Sequence, residues 1–174
     1  FYIEGAREIA RALSCGYLVD ELFVYPQAVS AKTLSELKPV EQLLSRITMT
    51  EISEDIFRKL AMRGDHDGLI ALAKIPERRV ADILVRADFI LIVEGVEKPG
   101  NLGAVLRTAD AAGLDAIVLV DSPIDAYAPN TIRSSLGAVF KVPVVHAQVD
   151  ELLPVLKRKN FKVVAADPYG PRSY

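Results

Sequence analysis

The residues best placed for chemistry lie close together in Glu94-Gly95-Val96-Glu97-Lys98-Pro99-Gly100-Asn101-Leu102-Gly103-Ala104-Val105-Leu106-Arg107. A Gly/Pro loop that leaves an apolar strand and enters a helix is where open α/β sheets hold ligands, because backbone amides converge at the helix N-terminus. Asn101 falls at the expected N-cap, where it either accepts helix amides or serves a substrate. Arg107 follows in the small, apolar company of Ala104, Leu106 and Ala111. A guanidinium there needs an anionic or carbonyl partner, either a bound group or an acid such as Asp110 or Glu97. Two nucleotide patterns fall away. G-x-G-x-x-G is absent, and Gly95 to Gly100 has the Walker spacing but leads into Asn-Leu where Lys-Ser/Thr would hold phosphate and magnesium.

The elements that must position this segment follow from patterning. Phe89–Glu94, Ala116–Val120, Val142–Val145 and Phe161–Ala166 are apolar strand candidates, with helices expected over Asn101–Ala112 and Asp150–Lys159. Strands without alternation, separated by helices, indicate a parallel sheet covered on both faces. Upstream, Glu4–Leu13 has helical spacing and meets a stop at Gly16, Leu18–Tyr25 and Ile47–Ile52 read as strands, and a helix interrupted at Pro39 lies within Ala31–Ser45. Ser53 is an N-cap before a short amphipathic helix, and Gly68–Ile75 is a buried strand candidate. The fold class is α/β. Residues 1–76 form a small first unit, 77–82 a linker after Pro76, and 83–174 a second unit. The second unit is expected to be cut short, since residues 167–174 follow a strand that would normally feed another crossover.

Composition sets outer bounds. With 174 residues, 51% hydrophobic and 25% charged, the chain can bury a core, and disordered and low-complexity classes are excluded. Its apolar runs fall far below the roughly 20 residues that cross a bilayer. Phe-Tyr-Ile-Glu at the start shows no signal-peptide pattern, so a cytoplasmic protein without membrane association is expected. Cys15 is the only cysteine and is expected in or near the core, and with His66 and His146 it cannot make a dedicated zinc site, so no metal is expected. A net charge of −2 gives no global basic footprint. Any nucleic acid must therefore be met by a local cluster.

The run P-G-N-L-G-A-V-L-R-T-A-x-A-A-G from Pro99 to Gly113 closely resembles the first motif of the SpoU (TrmH) family of RNA ribose 2′-O-methyltransferases, in the SPOUT superfamily. Asn130 to Val144, with Arg133, Ser135, Gly137, Phe140 and Pro143, resembles the family's R-x-S-x-G-A-x-F-x-x-P-V segment. Phe1–Leu13 and Gly68–Leu72 resemble its N-terminal substrate-binding domain, so the likeness covers essentially the whole chain. It implies a small N-terminal α/β domain of ribosomal-protein-like fold, then a parallel-sheet domain with a trefoil knot. It also implies a homodimer that transfers methyl from S-adenosylmethionine to a ribose 2′-hydroxyl, with rRNA favoured and tRNA possible. By motif position Asn101 and Arg107 carry over as catalytic, Arg133 and Ser135 as RNA-facing, and Gly100, Gly103 and Gly137 as support for the loop. Arg7, Arg11, Arg58, Lys59 and Arg63 are candidates for phosphate contact, or else a solvated helix surface; His66 either stacks on a base or is an ordinary loop residue. Lys98 departs from the Asp that many members carry before the proline. The family's two later motifs, which form the knot and most of the cofactor pocket, do not occur before Tyr174, so cofactor contacts are expected mainly beyond it. The alternative is a non-catalytic RNA-binding or ribosome-associated protein on the same scaffold. Since an arginine stays protonated at neutral pH, an orienting role fits Arg107 better than that of a base.

Overall fold

The computed structural model describes residues 1–62, 64 and 66–166. Among the described residues, seven strands divide between two sheets. The first half runs β1 (Tyr2–Glu4), α1 (Ala6–Ser14), β2 (Val19–Val24), α2 (Ala31–Leu37), α3 (Glu41–Leu44), β3 (Thr48–Glu51), α4 (Glu54–Leu60) and β4 (Leu69–Ala73). Its sheet has the order β1-β4-β2-β3, antiparallel except for the parallel β2/β3 pair. Pro39 lies in a 3-10 turn between α2 and α3, since it cannot supply the amide a continuous helix needs. Ser30 caps α2 in a reciprocal capping box with Thr33, and Ser53 Oγ accepts Ile56 N–H at 3.4 Å at the start of α4.

The second half runs α5 (Val80–Leu84), β5 (Ile90–Glu94), α6 (Pro99–Ala112), β6 (Ala116–Val120), α7 (Pro129–Ser134), α8 (Ala138–Lys141), β7 (Val144–His146) and α9 (Val149–Arg158). β5, β6 and β7 form a parallel sheet in that order. The central strand β6 is buried at every residue, whereas the edge strand β5 leaves Leu91 partly exposed. This is the mixed α/β fold with a parallel sheet that the patterning implies. The expected strand over Phe161–Ala166 is absent: this stretch has no regular structure, and Val163 and Val164 are 62% and 79% exposed. An apolar run becomes a strand only where a sheet edge accepts its backbone, and this one pairs with none of the described strands.

One apolar core passes through both halves. Ile3, Ile9, Leu13 and Tyr17 from the first share it with Leu102, Tyr127, Val139 and Phe140 from the second. Phe1 and Tyr127 rings lie 4.8 Å apart, and Tyr17 meets Phe140 edge-on at 5.1 Å. The Tyr17 and Tyr127 hydroxyls meet at 3.1 Å, which satisfies two polar atoms inside an aromatic cluster. A second cluster, with Leu84, Val118 and Leu152, packs α5 and α9 on the parallel sheet. Cys15 is exposed at the C-cap of α1, against the expectation that it lies in or near the core, because the cap residue turns away from the apolar stripe. No helix among the described residues is long and apolar enough to cross a membrane.

Candidate active site

The strand-to-helix loop begins at Glu94, where Gly95 takes φ +64° and its N–H donates to Val120 O at 3.0 Å. Ser122 Oγ donates to Val96 O at 2.5 Å, which ties the loop to the end of β6. α6 then starts at Pro99 with Lys98 as N-cap, two residues before the expected start. Proline fits the first helical position because its missing amide would be unpaired there and its φ is already helical. Asn101 is therefore not the N-cap. It lies inside the first turn, exposed, with no side-chain hydrogen bond among the described residues. Its amide is thus free for a ligand.

Arg107 lies six residues further along α6 and is exposed. Neither acid proposed as its partner pairs with it: Asp110 instead meets Lys141 Nζ at 2.6 Å. Arg107 Nη1 donates to Ser134 O, at the end of α7. α6 and α7 touch closely at this point. A Cβ on Gly103 would fall 2.2 Å from Ser134 Oγ and 2.6 Å from the Ser134 carbonyl carbon. Ser134 Oγ in turn donates to Pro99 O at 2.9 Å. The three glycines grouped as loop support differ: Gly100 meets nothing within 4 Å, whereas Gly103 and Gly137 are closely approached by neighbours.

Arg107, Arg133, Asn130 and Leu136 share a cleft of about 880 Å3 with Arg7 and Met62 of the first half. No carboxylate among the described residues lines it. Arg7 reaches its edge while paired with the buried Glu8 at 2.6 Å, and that hydrogen bond raises the pKa of the Arg7 guanidinium. Arg133 makes no ion pair among the described residues. Ser135 corrects an expectation: it is fully buried and its hydroxyl donates to Ile132 O at 2.8 Å, so it braces the turn and does not face RNA. Arg11, a candidate for phosphate contact, has its Nη1 engaged by Leu136 O. Gly137, at φ +80°, lets that side chain approach; a Cβ there would sit 2.8 Å from Arg11 Cδ. Arg58 pairs with Glu54 at 2.5 Å along α4, and Lys59 is exposed. Arg63 lies outside the described residues. His66 packs on Phe57 with ring centroids 4.4 Å apart, the ordinary reading of a loop histidine. Asn130 and Ser134 were not singled out from the sequence. Their role depends on α7 closing on α6, and a helix of six residues carries little periodicity to announce it.

The remaining test concerns the cofactor. None of the clefts described in this structure is lined by residues 95–98 or by the carboxyl ends of β6 and β7, where a parallel sheet places its ligands. No group of His, Cys, Asp and Glu among the described residues could hold a metal ion.

By fold and site, this is a two-part α/β protein whose arginine-lined cleft suits the phosphates of a polyanion. It belongs to the SpoU rRNA methylase family, whose model matches residues 88–174, and a model of the MRM3-like substrate binding domain matches residues 1–71. The 23S rRNA (guanosine(2553)-2′-O)-methyltransferase RlmP of Bacillus subtilis is 34% identical over 163 residues, covering 94% of this chain and 60% of the relative. A crystal structure of an RNA 2′-O ribose methyltransferase superposes with TM-score 0.76 at 38% identity, covering 98% of this chain and 64% of that one. The SpoU methyltransferase AviRb from Streptomyces viridochromogenes, crystallised with its cofactor AdoMet, gives TM-score 0.77 at 26% identity over 92% of this chain and 60% of that one. The chain thus spans about three-fifths of these relatives.

Proposed function

We propose that this chain is the substrate-binding and catalytic-loop part of an RNA ribose 2′-O-methyltransferase that uses S-adenosylmethionine and acts on rRNA. The observation that carries the reading is the convergence of Arg7, Arg107 and Arg133 with Asn130 on a cleft that no described carboxylate lines. The proposal divides the chain into an RNA-binding unit over 1–76, a linker over 77–82 and a methyltransferase unit from 83, and takes the active protein to be a cytoplasmic, knotted homodimer. The family membership and the resemblance support that assembly. S-adenosylmethionine supplies an activated methyl on a sulfonium leaving group.

This chain's share of the work is positioning. In-line transfer needs the 2′-oxygen about 3 to 3.5 Å from the methyl, so a strand held in one pose supplies much of the acceleration. Arg107 carries a planar fork of donors, of which Nη1 is engaged by Ser134 O. The remaining donors are left for a ligand in the cleft and can take a phosphate oxygen or the oxygen that gains charge as the proton leaves. Asn101 does not line the cleft, but on the first turn of α6, with no side-chain hydrogen bond among the described residues, it can hold the ribose or the adjoining phosphate. Arg133 and Arg7 flank the strand.

The deciding experiment is transfer of labelled methyl from S-adenosylmethionine to total cellular RNA by the full-length protein, with Arg107→Ala as control. Incorporation into rRNA that the control lacks is the expected result. No incorporation into unmethylated RNA by a folded protein would move the reading to non-catalytic RNA binding.

A further inference from the structure

The turn joining α7 to α8 has an uncommon backbone. Leu136 and Gly137 follow one another in the left-handed region, at φ +53° and +80°. For glycine this is free, but for leucine it is strained and persists only where the surroundings fix it. The Leu136 side chain, 44% exposed, is only partly packed. The backbone is held instead. Leu136 N–H donates to Arg133 O at 3.0 Å, Gly137 N–H to Ile132 O at 3.1 Å, and Leu136 O accepts Nη1 of Arg11.

Arg11 belongs to the last turn of α1, in the other half of the chain. Its stem lies against Gly137 so closely that a Cβ there would meet Cδ at 2.8 Å. The same turn is gripped from its other end, where Ser134 O accepts Nη1 of Arg107. Two arginines from the two halves therefore clamp one corner, and both use main-chain carbonyls.

We infer that Arg11 is a positioning residue for the methyl-transfer reaction: by holding Leu136 O it fixes the α7–α8 corner, and through Ser134 O it fixes Arg107. The inference rests on the methyltransferase reading above. It gives the N-terminal half a task besides binding RNA, since α1 completes the frame against which the catalytic-loop helix orients its guanidinium. A displacement of about 1 Å at a reacting group can cost on the order of 10²-fold in rate.

The test compares Arg11→Met, which keeps an apolar stem on Gly137 but removes the donors, with Arg11→Lys, which keeps one donor. Both are made in the full-length protein and assayed with rRNA and labelled S-adenosylmethionine, alongside hydrogen exchange of the Leu136 to Ala138 amides. Arg11→Met is expected to lower kcat about 10- to 100-fold with KM for RNA and Tm nearly unchanged, and to speed exchange at the corner. Arg11→Lys is expected to recover most of both. A rise in KM with kcat intact would overturn the inference and make Arg11 a phosphate contact, and unchanged exchange in Arg11→Met would overturn it whatever the activity. Failure of the unaltered protein to methylate rRNA would instead sink the functional reading and the rate effect with it. The exchange measurement would still decide whether Arg11 holds the corner.

Discussion

Arg107 and Asn101 sit on one helix yet differ in what the protein has already done with them. Arg107 has one donor fixed on Ser134 O, whereas Asn101 has no side-chain partner among the described residues. The first is thus preorganised and the second is adaptable. Preorganised donors aimed at developing charge are worth far more than mobile ones, because no reorganisation remains when the charge appears. Arg107→Lys is therefore expected to lose about 10²- to 10³-fold in kcat, the usual cost of removing one such donor, with no change in unfolding midpoint. A lysine keeps the charge but not the fork. Near-normal turnover would show that charge alone suffices. Both residues were legible from the Pro99–Gly113 motif, but their settings were not. Arg107 was expected either to hold a ligand or to pair with Asp110 or Glu97, and its actual carbonyl partner lies 27 positions away on α7.

Between elements, the informative comparison is Gly100 against Gly103. Both are helical residues of α6, but only Gly103 meets α7. Gly103→Ala puts a methyl into the backbone of Ser134, and such overpacking typically costs about 1 to 3 kcal/mol. It should lower the urea midpoint and, by displacing Ser134 O, the activity too. Gly100→Ala meets open space and should raise stability slightly through reduced unfolded-state entropy. Equal effects at the two positions would count against the close α6–α7 contact. Another link is Asp115, whose Oδ2 accepts the N–H of Phe89 and of Asp88 at 2.8 Å each, joining the turn before β6 to the start of β5. Those hydrogen bonds, that of Phe89 first, hold its carboxyl below the ordinary 3.8. A carboxyl depressed in the folded state contributes stability above its unfolded pKa and loses it as pH falls through the folded one. The advantage over Asp115→Asn is thus expected to be full at pH 7 and to shrink below about pH 3.8, by a small amount because the site is exposed. Urea midpoints of the two proteins at pH 7 and pH 3 measure it. Legibility at this scale followed length and pairing. β2, β4, β5 and β6 stood out as apolar runs that found neighbours. β1 did not, because three residues acquire strand character only through their antiparallel register with Leu72, Ala71 and Ile70. The run at Phe161–Ala166 erred the other way, having the composition of a strand without an edge to join.

For the whole molecule the question is how far the two halves behave as one. The sequence marks a break after Pro76 and a linker over 77–82; residues 74–79 have no regular structure while α5 begins at Val80, and no composition signal could show that the core continues past the break. That continuity comes from Phe1, Tyr17, Tyr127 and Phe140, which are up to 139 positions apart and meet only in the fold. Tyr127 is the centre of this contact: its hydroxyl meets that of Tyr17, accepts Arg78 Nη1 at 3.2 Å, and is buried, so its phenol is pushed far above the ordinary range and stays neutral. Tyr127→Phe removes only those hydrogen bonds and should cost about 0.5 to 1.5 kcal/mol, whereas Tyr127→Ala also opens a cavity between the halves and should cost about 3 to 5 kcal/mol. Because both halves contribute to the same core, the unaltered chain is expected to unfold in one transition, with near-UV tyrosine and far-UV backbone signals coinciding. Tyr127→Ala should shift that transition and separate the two signals, as the halves lose the contact that makes them cooperative. Two transitions already present before any substitution would mean that the shared core does not couple them. Arg11 would then have to hold the α7–α8 corner without help from the packing around it.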